Sequence, residues 1–282
     1  MMLRSKILIS LNKFFPAPLH PFNLQNEGKK SYAMWQYEKG EDTIKFYLKA
    51  YSVKEMFSSK TVVDIGCGAA GKSLYYASMG AEHVYGLEIL DKYRSEAIAL
   101  AEKLGLGDKF SFVTGDSASL PFPDNFADTI IVNDAMEHVA KPEKTISEML
   151  RILKKGGKIF INFPPYHHPM GAHLTDVIYI PWVHLFFPEK VLIESYRELV
   201  RNLPDGEDRV NFRISKRNDG SEYFSYINKM TIKRFRGILK KLSITPLYYS
   251  EEPLRKFLAP AAKMPVLKEA FAKMVVCVIE KR

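Results

Sequence analysis

The chain has 282 residues, 46% of them hydrophobic, and its 41 Lys and Arg against 32 Asp and Glu give a net charge of +9. That length holds one generous α/β domain or one domain with a sizeable insertion, and two cysteines, Cys67 and Cys277, are too few for a disulfide framework and fit a reducing cytoplasm. No apolar run approaches the ~18 to 20 residues that span a bilayer, and the basic residues are interrupted by acids even in their densest stretch, so the charge reads as solvated helix faces rather than a nucleic-acid surface.

Residues 1–30 read as an N-terminal extension. Leu3, Ile7, Leu8, Ile9, Leu11, Phe14 and Phe15 are interspersed with Arg4, Lys6 and Lys13, which predicts a docking helix, with a membrane-surface helix or a cover over a ligand pocket as the other readings. Pro16, Pro18 and Pro21 end it. A secretory signal would need a longer apolar centre and a small-residue cleavage site. Residues 31–57 predict a helix in two pieces, rich in aromatics: Tyr32, Trp35, Tyr37, Phe46, Tyr47 and Tyr51.

The chain then runs Thr-Val-Val-Asp-Ile-Gly-Cys-Gly-Ala-Ala-Gly-Lys-Ser from Thr61 to Ser73. The β-branched run predicts a buried strand ending in Asp64, followed by a tight turn on Gly66, Gly68 and Gly71 and a helix opening at Lys72. Glycines there let the backbone take positive φ and approach a ligand, with the N–H groups of the helix start expected to face it. The G-x-G-x-x-G spacing also fits dinucleotide-binding enzymes, but a carboxylate two residues before the first glycine is unwelcome beside a diphosphate and suits a cationic guest, an ammonium or a sulfonium. The motif resembles the first motif of the class I S-adenosylmethionine-dependent methyltransferases, a strand ending in Asp or Glu and then G-x-G. The resemblance runs from about Tyr32 through Phe163. It implies a cofactor site built from Asp64, Gly66, Cys67, Gly68 and Gly71, walled by Tyr32, Trp35 or Tyr37, though helix-to-sheet packing accounts for those aromatics equally well.

Downstream residues fit the same family. His83 to Leu87 predicts the second strand, with Glu88 and then Ile89 at its carboxyl end, where an acidic side chain can accept both hydroxyls of a ribose. A helix from Asp91 to Leu104 buries Tyr93, Ala97, Leu100, Ala101 and Leu104 and stops at Gly105. Phe110 to Thr114 is the third strand; by the resemblance Asp116 meets the adenine amino group, with help from Ser117. Residues 120–128, Leu-Pro-Phe-Pro-Asp-Asn-Phe-Ala-Asp, resemble the linker before the fourth strand of many small-molecule methyltransferases. Thr129 to Val132 is that strand, and Asn133 to His138 falls where the family brings residues beside the transferring methyl group. The Glu137-His138-Val139 run is similar to quinone, lipid and natural-product methyltransferases. Pro142 opens a helix with Ile146, Met149, Leu150 and Leu153 on one face, Lys155-Gly156-Gly157 ends it, and Lys158 to Asn162 is the fifth strand. Asn162-Phe163-Pro164-Pro165-Tyr166 is close to the Asn-Pro-Pro-Tyr signature of amino-group methylation, but stands after the wrong strand and carries an extra residue.

Residues 164–230 leave this pattern and read as a substrate-lid insertion after the fifth strand, since long excursions in compact domains are usually lids or binding surfaces. They contain His167, His168, His173 and His184, an apolar stretch with Ile180, Trp182, Phe186 and Phe187, a helical piece from Pro188 to Arg201 and a turn signal at Pro204-Asp205-Gly206. A helix from Thr231 to Leu242, a sixth strand at Ile244 to Tyr249, a helical hairpin and a last strand at Lys273 to Ile279 follow.

The expected fold is therefore a seven-stranded, mostly parallel Rossmann-like α/β sheet with helices on both faces, its core at 31–163 and 231–282. The expected activity is methyl transfer from S-adenosylmethionine to a small-molecule acceptor, apolar or aromatic, at O or C. RNA or protein methylation, a nicotinamide-dependent oxidoreductase and a non-catalytic S-adenosylmethionine-binding protein stand as alternatives. A base is needed only for a weakly acidic acceptor. His138 and His173 are its leading candidates, with His167 and Asn133 as further catalytic candidates. A metal held by His167, His168, His173 and Asp176 has no standard ligand spacing, and none is expected. The expected partner is a small molecule, lipid-like or aromatic, with no nucleic acid; the chain is expected to be a cytoplasmic monomer or homodimer, with peripheral membrane contact left open.

Overall fold

The computed structural model describes residues 2–264 and 267–282. Met1, at the head of the expected N-terminal helix, and Pro265 and Val266, in the expected helical hairpin, lie outside the described residues. By contact the chain divides into two units, one comprising residues up to Lys29 with 164–231 and 253–273, the other 30–163, 232–252 and 274–282. Residues 253–273, read with the core from sequence, group with the first unit.

The second unit carries the sheet. Its strands are β1 (Thr61–Ile65), β2 (His83–Glu88), β3 (Phe110–Thr114), β4 (Ala127–Asn133), β5 (Leu153–Phe163), β6 (Tyr248–Pro253) and β7 (Ala272–Glu280), in the order β3-β2-β1-β4-β5-β7-β6. The first five are parallel and β7 runs antiparallel to β5. Strand order reverses between β1 and β4, the switch point beyond whose carboxyl ends open α/β sheets bind ligands.

Side chains alternate across each strand, so Val62, Val84, Ile131, Phe160, Val276 and Val278 pack in one layer with Leu74, Tyr76, Ala97 and Leu100 of the helices Gly71–Ser78 and Arg94–Lys103. The intervening Val63, Ile130, Val132, Ile159 and Ile161 are equally buried. Phe163 meets Phe235 of the helix Ile232–Lys241 with ring centroids 4.9 Å apart.

Three expectations shift. The helix from Pro142 ends at Ile152 and β5 starts at Leu153 rather than Lys158, because Leu153 already pairs with Ala127 of β4. The region before β1 forms four short elements, Tyr32–Glu38, Gly40–Ile44, Tyr47–Lys49 and Val53–Phe57, rather than two. A new start is imposed at Ser52, which forms a capping box with Glu55, and Gly40 gives passage to the Tyr75 ring, which a Cβ there would meet at 2.1 Å. Strand β6 begins at Tyr248 instead of Ile244, because Pro246 has no N–H to give; the approach to β7 starts with Leu247 N–H donating to Val278 O at 2.8 Å.

The first unit has its own core, including Leu8, Leu174, Ile178, Leu192, Tyr196, Val200 and Phe224. It is built on the helices Leu3–Asn12, Glu189–Val200 and Gly206–Arg213 and the antiparallel pair Ile214–Lys216 and Glu222–Phe224. Buried at its centre, Asp176 accepts hydrogen bonds from Tyr196 Oη at 2.8 Å and Arg209 Nη1 at 3.1 Å, and lies 3.4 Å from Arg213 Nη2.

Candidate functional site

The glycine loop after β1 is closely held. Gly66 and Gly68 sit at φ of +74° and +57°, and a Cβ on Gly66 would meet the Ala135 methyl at 2.8 Å. The loop N–H groups, expected to face a guest, have acceptors within the unit. Gly66 and Cys67 donate to Leu87 O at 2.8 and 3.1 Å, Gly68 to Glu88 Oε2 at 3.0 Å, Ala70 to Cys67 O at 2.9 Å and Gly71 to Gln36 Oε1 at 3.2 Å. These acceptors are at hand because the neighbouring strand end and the helix Tyr32–Glu38 reach into the turn. A diphosphate cradle needs such N–H groups unpaired.

Three carboxylates stand at the carboxyl ends of the adjacent strands: Asp64 and Glu88 within the last two residues of β1 and β2, and Asp116 two residues past β3. Asp64, on the same strand face as Val62, is 3% exposed and accepts from the Ser73 hydroxyl at 2.6 Å. Burial pushes its carboxyl from 3.8 up to about 6, against the lowering effect of Ser73 and Lys72. Glu88 accepts from the N–H groups of Gly68, Ile89 and Leu90, the last two at 2.9 and 3.1 Å, which fixes its carboxylate at the loop. Asp116 is exposed and closes a turn by accepting from Ala118 N–H at 2.8 Å, while Ser117 Oγ lies 3.1 Å from Thr145 Oγ1. Ile89 is 66% exposed.

Cys67 points into the core beneath β2, where Gly86 leaves room for it; a Cβ on Gly86 would meet the Cys67 sulfur at 2.9 Å. Burial raises its thiol, and the whole residue is only 2% exposed.

The helix Tyr32–Glu38 lies along the loop. Ser31 caps it by accepting from Met34 N–H, and Glu96 accepts from Ala33 N–H at 2.8 Å. Tyr32 and Gln36, one turn apart on the same face, are the side chains at Gly68, where an added Cβ would lie 3.0 Å from Gln36 Nε2 and 3.4 Å from Tyr32. Trp35 stacks on Tyr32 with centroids 6.5 Å apart. Gln36 escapes a sequence reading; its only signal is the four-residue spacing from Tyr32.

At the end of β4, Asn133 is 4% exposed, its Oδ1 accepting from Tyr47 Oη at 2.7 Å and its Nδ2 donating to Tyr76 Oη at 2.9 Å. Asp134 has φ of +51°, donates its N–H to Asn162 O, and pairs through its carboxylate with Lys72 Nζ at 2.9 Å. Glu137 is buried and burial holds its carboxyl well above the usual range, with Asp134 adding to the effect. His138 is exposed, its Nε2 4.0 Å from Glu137 Oε1.

In the first unit, His167 Nδ1 lies 2.6 Å from Glu269 Oε2, and His168 Nδ1 accepts from Met170 N–H at 3.1 Å. Burial lowers His168 and His184 to about 4, which keeps both neutral near pH 7. His173 takes φ of +52° and its carbonyl accepts from Tyr226 Oη at 2.7 Å. Asp176 is turned to Arg209 and Arg213, and His167 to Glu269.

Residues 63–161 match the family model described as a methyltransferase domain. Over 96 residues the chain is 41% identical to a sterol 24-C-methyltransferase of Gibberella zeae, covering 34% of this chain and 25% of that protein. Over 102 residues it is 33% identical to norajmaline N-methyltransferase of Rauvolfia serpentina, covering 36% of this chain and 35% of that protein. The chain thus spans about a quarter to a third of the length of these relatives. A solved geranyl diphosphate methyltransferase in complex with SAM shares the fold, with a TM-score of 0.53, 12% identity and coverage of 87% of this chain and 85% of that one.

Proposed function

We propose, for a chain whose residues 63–161 form a class I S-adenosylmethionine-dependent methyltransferase domain, that it methylates a small apolar or aromatic acceptor at oxygen or carbon. The observation that carries this reading is the row of carboxylates at the carboxyl ends of β1, β2 and β3 beside a loop whose N–H groups at Gly66, Cys67, Gly68, Ala70 and Gly71 are already bonded. Such a site favours a cation and sugar hydroxyls and has little to offer a diphosphate, which weighs against the nicotinamide alternative. Asp64 would face the amine end of the cofactor, Glu88 the ribose hydroxyls, and Asp116 with Ser117 the adenine, while Gly66, Cys67, Gly68, Gly71, Ile89 and Trp35 would contribute contacts around it. S-adenosylmethionine, when bound, supplies a methyl group already activated on a sulfonium.

The chain's remaining task is to hold the acceptor at about 3 to 3.5 Å and exclude water. Asn133, locked between Tyr47 and Tyr76, keeps the end of β4 in place for that. For a hydroxyl or phenol acceptor, His138 or His173 takes the proton, with His167 held by Glu269 as the further candidate. Residues 164–230 choose the acceptor, and their apolar side chains Ile180, Trp182, Phe186 and Phe187 favour a lipid-like or aromatic molecule.

The test is incubation with methyl-labelled S-adenosylmethionine and a panel of sterols, isoprenoid quinones, phenols and alkaloid amines. Label is expected in an apolar hydroxyl or carbon acceptor. Label confined to amines overturns the O- or C-assignment, and cofactor binding without turnover of any acceptor favours a non-catalytic binder.

A further inference from the structure

The N-terminal helix Leu3–Asn12 packs on one face and leaves an apolar stripe uncovered on another. On the used face Ser5, Leu8 and Asn12 are buried; Asn12 Nδ2 donates to Val177 O at 2.7 Å and its Oδ1 accepts from Tyr179 N–H at 2.6 Å, while the Ser5 hydroxyl bonds to Glu194. These polar anchors fix the rotation of the helix, so it cannot roll to hide its other side. On that side Leu3, Ile7 and Leu11 recur every fourth residue, 74%, 46% and 43% exposed, and Phe14 just beyond the helix is 84% exposed. At 100° per residue the three helical positions fall within about 80°, with Arg4 beside one edge of the stripe and Lys6 beyond the other.

Charge decides what covers this stripe. Glu27 is the first acidic residue of the chain, and before it the charged side chains are Arg4, Lys6 and Lys13. A second copy docking stripe to stripe would bring two sets of these cations together. An anionic bilayer attracts them, and their long aliphatic stems can lie along the acyl boundary with the charged ends in the headgroups. Among the described residues no helix is long and apolar enough to cross a membrane, so the mode is lateral.

We propose that Leu3, Ile7, Leu11 and Phe14, flanked by Arg4, Lys6 and Lys13, seat the protein on anionic phospholipid surfaces. The inference goes beyond the methyl-transfer reading and needs neither cofactor nor acceptor.

Co-sedimentation of the full chain with vesicles of phosphatidylcholine alone, and with one-third phosphatidylglycerol, tests it. Binding to the anionic vesicles is expected to be at least roughly tenfold tighter, each basic residue being worth about fivefold, and to weaken as salt is raised. Ile7→Asn with Leu11→Asn should lower that binding at least roughly tenfold while the protein stays folded, since both side chains are about half exposed and outside the core. Lys6→Gln with Lys13→Gln gives a second, milder variant whose loss should be confined to the anionic vesicles. Failure of the wild-type protein to bind either vesicle overturns the proposal, as does undiminished binding by the Asn variant. A dimer in solution that the Asn substitutions dissolve, without vesicle binding, would assign the stripe to a second copy.

Discussion

The backbone N–H of Gly68 donates to Glu88 Oε2 at 3.0 Å, tying the glycine loop after β1 to the end of β2. The same carboxylate takes the N–H groups of Ile89 and Leu90, so one side chain organises both turns. Glu88→Ala is expected to speed amide hydrogen exchange at Gly68 by at least about tenfold, while Gly71, bonded to Gln36, keeps its protection. Equal exchange at Gly68 in both proteins would show that the loop is held by other means.

If Asp64 faces the cofactor as proposed, affinity is expected to depend on pH. Its carboxyl is raised from 3.8 to about 6, chiefly by burial, so between those values the folded chain binds more protons than the unfolded one. Its contribution to stability therefore declines as pH rises through that window and is level above it. Affinity for a cationic ligand runs the other way, because only the ionised carboxylate attracts it. Affinity should fall below about pH 6 by up to about tenfold per pH unit, and Asp64→Asn should flatten the profile. Titration calorimetry across pH 5 to 8 checks both, and a wild-type profile as flat as the variant's would remove Asp64 from the site.

Gly71 allows close approach rather than unusual dihedrals. A Cβ there would lie 1.9 Å from Ala33 O and 2.5 Å from Tyr37 N, in the backbone of the helix Tyr32–Glu38. Gly71→Ala should cost about 1–3 kcal/mol in urea denaturation and weaken cofactor binding by displacing Gln36 and Tyr32. Gly107→Ala, where nothing lies within 4 Å, should stay within about 0.5 kcal/mol of wild type.

Asp176 balances two buried arginines in the first unit. Asp176→Ala strands Arg213 without its carboxylate and leaves Arg209 with Asp205 and Asn23. The expected loss is on the order of 3–5 kcal/mol by chemical denaturation. A loss under about 1 kcal/mol would mean that the network adds little to stability.

Much of the sheet is legible in the sequence. Phe110–Thr114 is bounded by Gly107 and Gly115 and is found where the β-branched and aromatic run places it, and Gly66, Gly68 and Asp64 mark the turn after β1. What local pattern cannot give is partnership across the chain. The acceptors of the loop N–H groups come from Leu87, Glu88 and Gln36, and Asn133, a catalytic candidate by sequence, gives no sign there of the Tyr47 and Tyr76 hydroxyls that close on it. Asp176 and its arginines are 33 and 37 positions apart and leave no periodic trace. The helix Gly206–Arg213 hides behind a turn signal that proves to be its own start.

Calorimetric titration of the wild-type chain, Asp64→Ala and Glu88→Ala with S-adenosylhomocysteine, and of the wild type with NADH, bears most directly on the site. One S-adenosylhomocysteine is expected to bind per chain, each substitution weakening it at least about tenfold, or about 1.4 kcal/mol, with no binding of NADH. Saturable NADH binding without S-adenosylhomocysteine binding, or unchanged affinity in both variants, would contradict a cofactor site built on these strand-end carboxylates.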